Sequence, residues 1–450
     1  MVELCADFEA FSGISRPKTN KKGRKLQEMR NSSDDGRHSM ASHPPNSPKL
    51  AVRAFLFWVS LAQLISWGST LYLFGLSVAP IESILHISRG QTSLAFGLAM
   101  LVEGLLAYPV GRLIDSGHGR VVMTGGSLFC VLSLLGLSQV SNLAQFYLAW
   151  ICLGAGMSCV LYTPIFSITT RRFPQDFRRA IIVITFLGGL ASTAFIPLMS
   201  WLMSLWSWST MVIVMAGFHL LVCAPIHWVF LKGEPARQAS RATLDSAALS
   251  TKQHRDIASQ QRKVMILIGL FTALGMAMAS SLAAHLIPML RERGMSDFWV
   301  VWIPAAVGAI QVLGRMGILW SDGKFSTHKV NAAIVWLSPV GMLLLILAGS
   351  NTLLLLAFAC VWGVANGCQT IVKGTAVAQY VSQENVAALN GSLGLPTALL
   401  RTLLPWGIGL LWSPSNGYTS ATWVLLALGI AAAISFILAQ QNSLGAMRKT

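Results

Sequence analysis

Gly111-Arg112-Leu113-Ile114-Asp115-Ser116-Gly117-His118-Gly119-Arg120 is a polar stretch set between two apolar runs, 92–110 and 121–140. Each run is close to the roughly 20 residues that a helix needs to cross a bilayer. Inside lipid every backbone polar group must be satisfied within the protein, so two such runs on a short loop predict a helical hairpin. Gly111, Gly117 and Gly119 permit close helix approach and turns with positive φ. Asp115 suits the N-terminus of a neighbouring helix, and Arg112 and Arg120 are cations able to pair with it. The bland alternative is a generic basic loop with turn glycines.

Outward from this loop, apolar stretches recur at 54–78, 92–112, 121–140, 144–168, 179–203, 209–231, 264–289, 298–319, 330–349, 352–376, 388–412 and 418–439. The expected fold class is an all-α membrane protein with twelve transmembrane helices in two six-helix bundles. The long polar break at 232–263 divides the spans evenly and reads as a cytoplasmic linker. The expected organisation is therefore a basic, disordered arm over 1–52, a bundle over 53–231, the linker, a second bundle over 264–440 and a tail over 441–450. The arm lacks the apolar core of a signal peptide, and its acids argue against an organellar transit peptide. Met40 offers an internal start, which would leave 1–39 outside the native protein.

Composition agrees: 54% of residues are hydrophobic and 11% charged. A net charge of +16 invites a nucleic-acid partner, but the cations sit in loops and in the arm, where they report topology. With the N-terminus in the cytoplasm, the loops and tail on that side hold Arg112, Arg120, Arg171, Arg172, Arg178, Arg179, Lys324, Lys329, Arg448, Lys449 and the linker cations. The opposite side holds Arg89, Arg291 and Arg293. Both termini are therefore expected in the cytoplasm, the lipid bilayer is the expected environment, and no nucleic acid is expected. Six of the seven cysteines lie in apolar runs without C-x-x-C spacing, which reads as packing. No phosphate loop, nucleophile elbow or metal-ligand cluster appears. The expectation is a protein that is not an enzyme, with no cofactor and no metal, acting as a monomer on a small-molecule substrate.

The loop resembles the G-x-x-x-D-R/K-x-G-R-R/K pattern between the second and third helices of the major facilitator superfamily. Gly111, Asp115, Gly119 and Arg120 carry the match. Ser116 stands where a basic residue is usual, one extra residue precedes Gly119-Arg120, and Val121 replaces the second basic residue. The resemblance covers about 53–440 and implies alternating access by two rocking bundles, with Gly111, Asp115, Gly119 and Arg120 as a conformational-switch loop. A weak internal repeat agrees: Gly314-Arg315 followed by Asp322-Gly323-Lys324 falls at the corresponding place in the second half. The membrane expected on this resemblance is a bacterial inner membrane.

Charges at bilayer depth are expensive and usually line a cavity. Glu103, Arg315, Lys373 and Arg401 are the interior candidates, with His219, His227 and His285 weaker ones. Arg401 lies near mid-span, and Arg315 follows Gln311 by one helical turn. Among family members this resembles the monocarboxylate and oxalate/formate carriers, where an arginine on the eighth helix and a cation on the eleventh bind carboxylate. Gln311 replaces the acid of an acid–arginine pair. Structural arginines tied to carbonyls or to a carboxylate are the alternative. Asn366, Gln369, Thr370 and Lys373 share a face of the tenth span, and Gln63, Trp67 and Thr70 share one on the first. Lys373 reads equally as a cytoplasmic-end anchor. The family makes the first, fourth, seventh and tenth helices cavity walls. Trp67-Gly68-Ser69-Thr70 is a flexible polar segment at mid-span, and Tyr162 precedes Pro164 in the fourth. The fourth span lacks the buried arginine of many proton-coupled members, and the fifth lacks the G-P-x-x-G-G run of drug/proton antiporters.

The expected substrate-binding set is Arg315, Arg401, Gln311, Trp67, Tyr162, Asn366 and Gln369, with Glu103 as the proton-coupling candidate. The expected function is secondary active transport of a small organic anion such as a monocarboxylate, driven by protons. Efflux of drugs or amphiphiles, and a non-transporting receptor on the same fold, are the alternatives.

Overall fold

A computed structural model describes residues 47–173, 176–233, 251–321, 324–381, 389 and 392–447. The arm as far as residue 46, residues 234–250 of the linker, Asp322-Gly323 of the repeat and the last three residues lie outside that set. Apart from one isolated bridge between Ser413 and Gly417, the described residues are helical or lie in short connections.

The helices are α1 (Ser47–Thr70), α2 (Leu73–Leu85), α3 (Arg89–Leu113), α4 (Gly119–Ser138), α5 (Leu143–Val160), α6 (Tyr162–Arg172), α7 (Phe177–Gly189) and α8 (Ala191–Leu205). They continue as α9 (Trp208–Phe218), α10 (Ala224–Phe230), α11 (Thr251–Glu292), α12 (Asp297–Ser321), α13 (Thr327–Ala348), α14 (Thr352–Tyr380), α15 (Gly394–Leu411) and α16 (Thr419–Met447). Among the described residues eleven helical stretches are long and apolar enough to cross a membrane. One of them, Arg89–Ser138, runs 50 residues and contains both arms of the opening hairpin. Its direction changes at Gly117, whose φ of 90° only glycine adopts without strain. Gly119 is helical, and a side chain at Gly111 would meet open space, so only Gly117 is a backbone requirement.

Sequence signals set the helix starts at the end opposite this loop. Ser88 and Gln91 form a capping box on α3, Asn142 caps α5, and Asn351 accepts from the first amides of α14. The helix α11 begins at Thr251, well before the expected span start at 264.

Three spans are broken rather than continuous. The breaks fall at Leu71–Tyr72 between α1 and α2, at Leu161 between α5 and α6, and at Leu190 between α7 and α8. Backbone groups freed at such breaks need partners. Gln63 Nε2 donates to Val160 O at 2.7 Å, beside the break at Leu161.

Residues 51–450 form one unit in which α1–α10 pack mainly on one another, as do α11–α16. Contact between the two sets runs chiefly through α3 with α15, α8 with α12, and α2 with α11. The α3–α15 contact is built on Gly90, Gly97 and Gly104, one every seventh residue along one face. A side chain at Gly97 would come within 2.8 Å of Thr402 O, and one at Gly104 would strike Ala398. Small residues let the two backbones approach closely, which matters inside lipid, where packing rather than the hydrophobic effect drives association.

Candidate functional site

The close approach of α3 to α15 sets the first feature of the interior. Glu103, next to Gly104, accepts from Arg401 Nη1 at 2.7 Å. Arg401 Nε reaches Ser280 Oγ on α11 at 3.3 Å, and Nη2 lies 3.2 Å from Met100 Sδ. All three guanidinium nitrogens therefore have protein partners, and the group is 8% exposed. In this conformation Arg401 is committed to Glu103 and does not face the cavity described below.

Arg315 and Gln311 lie on one face of α12, against the break at Leu190. Gln311 Nε2 donates to Gly189 O at 2.6 Å, and Arg315 Nη1 to Thr185 O at 2.7 Å. Both carbonyls belong to the C-terminal end of α7, where unpaired acceptors and the helix dipole favour a donor and a positive charge. Arg315 is also buried, at 6% exposure, and its Nε has no partner. No carboxylate is paired with it among the described residues. Its guanidinium and the Tyr162 hydroxyl lie over adjacent residues, Gly189 and Gly188, and Tyr72 and Tyr162 flank the breaks at Leu71–Tyr72 and Leu161. Tyr162 packs on Trp67 with centroids 4.8 Å apart, and the Trp67 indole N–H is buried without a partner. Asn366 Nδ2 joins from α14 by donating to Gln311 Oε1 at 3.1 Å.

Five of the expected substrate residues thus converge: Arg315, Gln311, Asn366, Tyr162 and Trp67. Gln369 does not join them. It donates to Ser338 Oγ of α13 at 2.6 Å and so faces the neighbouring helix. Tyr72 and Ser192 were not singled out by sequence reasoning, yet both belong here. With Asn366, Trp362 and Leu286 they line a cavity of about 40 Å³, too small for a solute. The signal for Tyr72 was its place just after Trp67–Thr70, which the sequence suggested as an irregular segment; the structure keeps those four residues in α1 and breaks the span directly after them.

The loop that opens the sequence has its own partners. Asp115 accepts from Arg171 Nη1 at 3.1 Å and from Ser167 Oγ at 3.2 Å, both on α6. Arg120 instead donates to Trp228 O at 2.7 Å and stacks on that indole at 3.6 Å. The expected pairing of Asp115 with Arg112 or Arg120 is corrected to Arg171, because α6 ends directly over the loop.

A second charged network closes the opposite end. Arg89, at the start of α3, pairs with Glu82 of α2 and reaches Glu292 of α11 at 2.9 Å. Glu292 also accepts from Trp412 Nε1 at 2.7 Å. Arg89 Nη1 donates to Tyr418 OH at 2.7 Å. The Pro405 carbonyl only accepts, so His285 Nε2 is the protonated nitrogen in their 2.8 Å contact. Nδ1 then takes the Tyr418 hydroxyl proton at 3.0 Å. Burial pushes the Tyr418 phenol well above its ordinary value, which keeps it a neutral link in the chain.

A sequence model of the Major Facilitator Superfamily matches residues 59–327. The chain belongs to the major facilitator superfamily. It is a multi-pass integral membrane protein built almost wholly from helices. Curated relatives include monocarboxylate transporter 13 of Rattus norvegicus, 24% identical over 69% of each chain, and that of Bos taurus, 23% identical over the same share. The resemblance to monocarboxylate carriers read from the eighth and eleventh spans therefore has relatives behind it. Solved folds of this superfamily member's kind include a bacterial homologue of the lysosomal transporter Spinster, inward-facing and unoccupied. Its TM-score is 0.63 at 16% identity, covering 90% of this chain and 98% of that one. The nucleoside transporter NupG matches with TM-score 0.61 at 15% identity, covering 86% of this chain and 98% of its own.

Proposed function

We propose that this superfamily member is a secondary active transporter of a small organic anion, with carboxylates of the monocarboxylate kind as first candidates. It works by alternating access through twelve spans, the hairpin in Arg89–Ser138 supplying two of them, with both termini in the cytoplasm. The two sets α1–α10 and α11–α16 act as the rocking bundles, and α3–α15 and α8–α12 are the seams along which they pivot. Arg315 carries the reading. It is a buried, permanently charged group with an unpartnered Nε, beside two phenols and two side-chain amides. Nothing in its surroundings neutralises it among the described residues, and a carboxylate would do so through a charge-assisted pair. Glu103 and Arg401 form the coupling pair. A proton on Glu103 releases Arg401, and the freed cation then holds the substrate anion while the bundles rearrange.

Reconstituted protein tests the proposal. Proteoliposomes with an inward proton gradient should accumulate a labelled carboxylate, and Glu103→Gln should abolish accumulation while sparing counterflow exchange. Absence of carboxylate flux, together with saturable movement of an amphiphilic cation, would replace this reading with drug efflux. Intact accumulation in Glu103→Gln would leave Glu103 a structural role.

A further inference from the structure

We propose that Arg315 and Lys373 together make a site for a dianion, so that the solute carried is a small dicarboxylate or a compound of like charge and span. The proposal rests on the anion reading above and, within it, moves the first candidate from a monocarboxylate to a dicarboxylate.

The first argument is charge. Among the described residues Glu103 is the one carboxylate in the interior of a membrane span; the acids Glu82, Asp115, Asp176, Glu292 and Asp297 lie at span ends or in loops. Glu103 is taken by Arg401. Among the described residues two cations within spans then remain without an anion beside them, the buried Arg315 and the half-buried Lys373. Uncompensated charge away from water is costly, and the cost is met when a ligand supplies the opposite charge.

The second argument is register. The helices α12 and α14 pack through glycines: Gly363 meets Val307 and Ile310, Gly367 meets Gln311, and Gly314 meets Val364 and Cys368. This fixes Arg315 at the level of the residues just before Lys373. At ~1.5 Å per residue the two cations differ in depth by about 3 Å. They also occupy matching faces of the two helices. Asn366 bonds Gln311 across the helix pair. Arg315 is one turn beyond Gln311, and Lys373 is two turns beyond Asn366, each on the face that makes the bond.

The third argument is unmet hydrogen bonding. The Lys373 ammonium has three donors. Its one hydrogen-bond partner among the described residues is the Met276 thioether at 3.0 Å, a weak acceptor. That bond turns Lys373 sideways into the bundle, not along α14 toward the interface as a snorkelling anchor would. Met276 sits one turn from Ser280, which holds Arg401, so one face of α11 receives cations from both α14 and α15. An anion with carboxylates at both ends would bridge Arg315 to Lys373 and give each cation a counter-charge. A monoanion would leave one cation bare.

The test is exchange by the full chain in proteoliposomes at a pH where both ligand carboxylates are ionised. Labelled malonate and succinate are the dianions, and propionate and butyrate are the monoanions of matched length. The wild type is expected to prefer the dianions, by tenfold or more in half-saturating concentration. Lys373→Gln should remove that preference by weakening the dianions selectively, Lys373→Arg should retain it, and Arg315→Gln should weaken both classes. A wild type that exchanges monoanions as well as dianions, with Lys373→Gln leaving the ratio unchanged, overturns the dianion site and leaves the anion reading standing. A wild type that exchanges neither class overturns the anion reading itself. If Lys373→Gln fails to insert, the wild-type preference and Lys373→Arg decide: equal affinity for the two classes in either protein overturns the site.

Discussion

The charged network around Arg89 and the one around Arg315 lie at different places between the two helix sets and are built on opposite terms. At the Arg89 end one arginine meets two glutamates, a tyrosine and, through it, a histidine, and every charge has a partner. Glu292 keeps 30% of its side chain exposed, so water shares the load. In the interior three cations meet one carboxylate, the two arginines are buried, Glu103 and Lys373 are half-buried, and Arg315 retains a bare Nε. A satisfied, half-wet network suits a latch between α2–α3 and α11, because it breaks cheaply when the ends part. An unsatisfied, dry one suits a binding site, because its deficit is made good only by a ligand. On the proposed function, the charges that bind solute are the ones the fold leaves unbalanced, and the balanced ones hold helices together.

The largest effect that can break this contrast is on stability. Glu103→Ala strands Arg401 in the interior and should lower unfolding free energy by about 3–5 kcal/mol. Glu292→Ala, at the wetter end, should cost under about 1 kcal/mol. Thermal unfolding in lipid nanodiscs compares the two directly, and equal losses would mean the networks do not differ. Next comes ligand binding. Arg315→Gln should weaken carboxylate binding by roughly ten- to a hundredfold, corresponding to about 1.5–3 kcal/mol for a charge-assisted bond. It should leave the melting temperature nearly unchanged, since no acid loses its partner; a fall as deep as that of Glu103→Ala would make Arg315 structural, a cap on α7.

Smaller is the shift expected at the latch. Arg89→Gln should favour opening of the Arg89 end by about 1–2 kcal/mol, roughly five- to thirtyfold in population. The rate at which a cysteine placed by Leu286→Cys reacts with a water-soluble maleimide reads that population, because Leu286 lines the small closed cavity. An unchanged rate would remove the latch from the scheme. Least is the effect at the loop. Asp115 is 37% exposed and its Arg171 contact is partly hydrated, so Asp115→Asn should slow exchange by less than about tenfold, in line with a pair worth up to ~1 kcal/mol. Normal exchange would leave the family-like loop without a mechanical role.

By itself the sequence determined which segments are apolar enough to cross a membrane as helices, because hydropathy and capping residues act over a few turns; the helix from Thr251 into the polar linker was not among them. The runs read at 209–231, 330–349 and 352–376 correspond to Trp208–Phe230, Thr327–Ala348 and Thr352–Tyr380. It also marked Glu103, Arg315, Lys373 and Arg401 as anomalies, since a charge in an apolar run is visible without knowing its neighbours. Only the tertiary structure decided who meets whom. Glu103 and Arg401 are brought together by glycines that recur every seventh residue on α3, and a pair 298 positions apart has no local signature. Asp115 found Arg171, and Gln369 turned to Ser338, for the same reason. The Arg89 network was read from sequence as a single loop cation, because its partners come from α2, α11 and the connection between α15 and α16, all distant in sequence or in fold. Span identity is a property of each segment's own transfer from water, whereas charge balance belongs to the packed whole, and only packing revealed which cations were left without an anion.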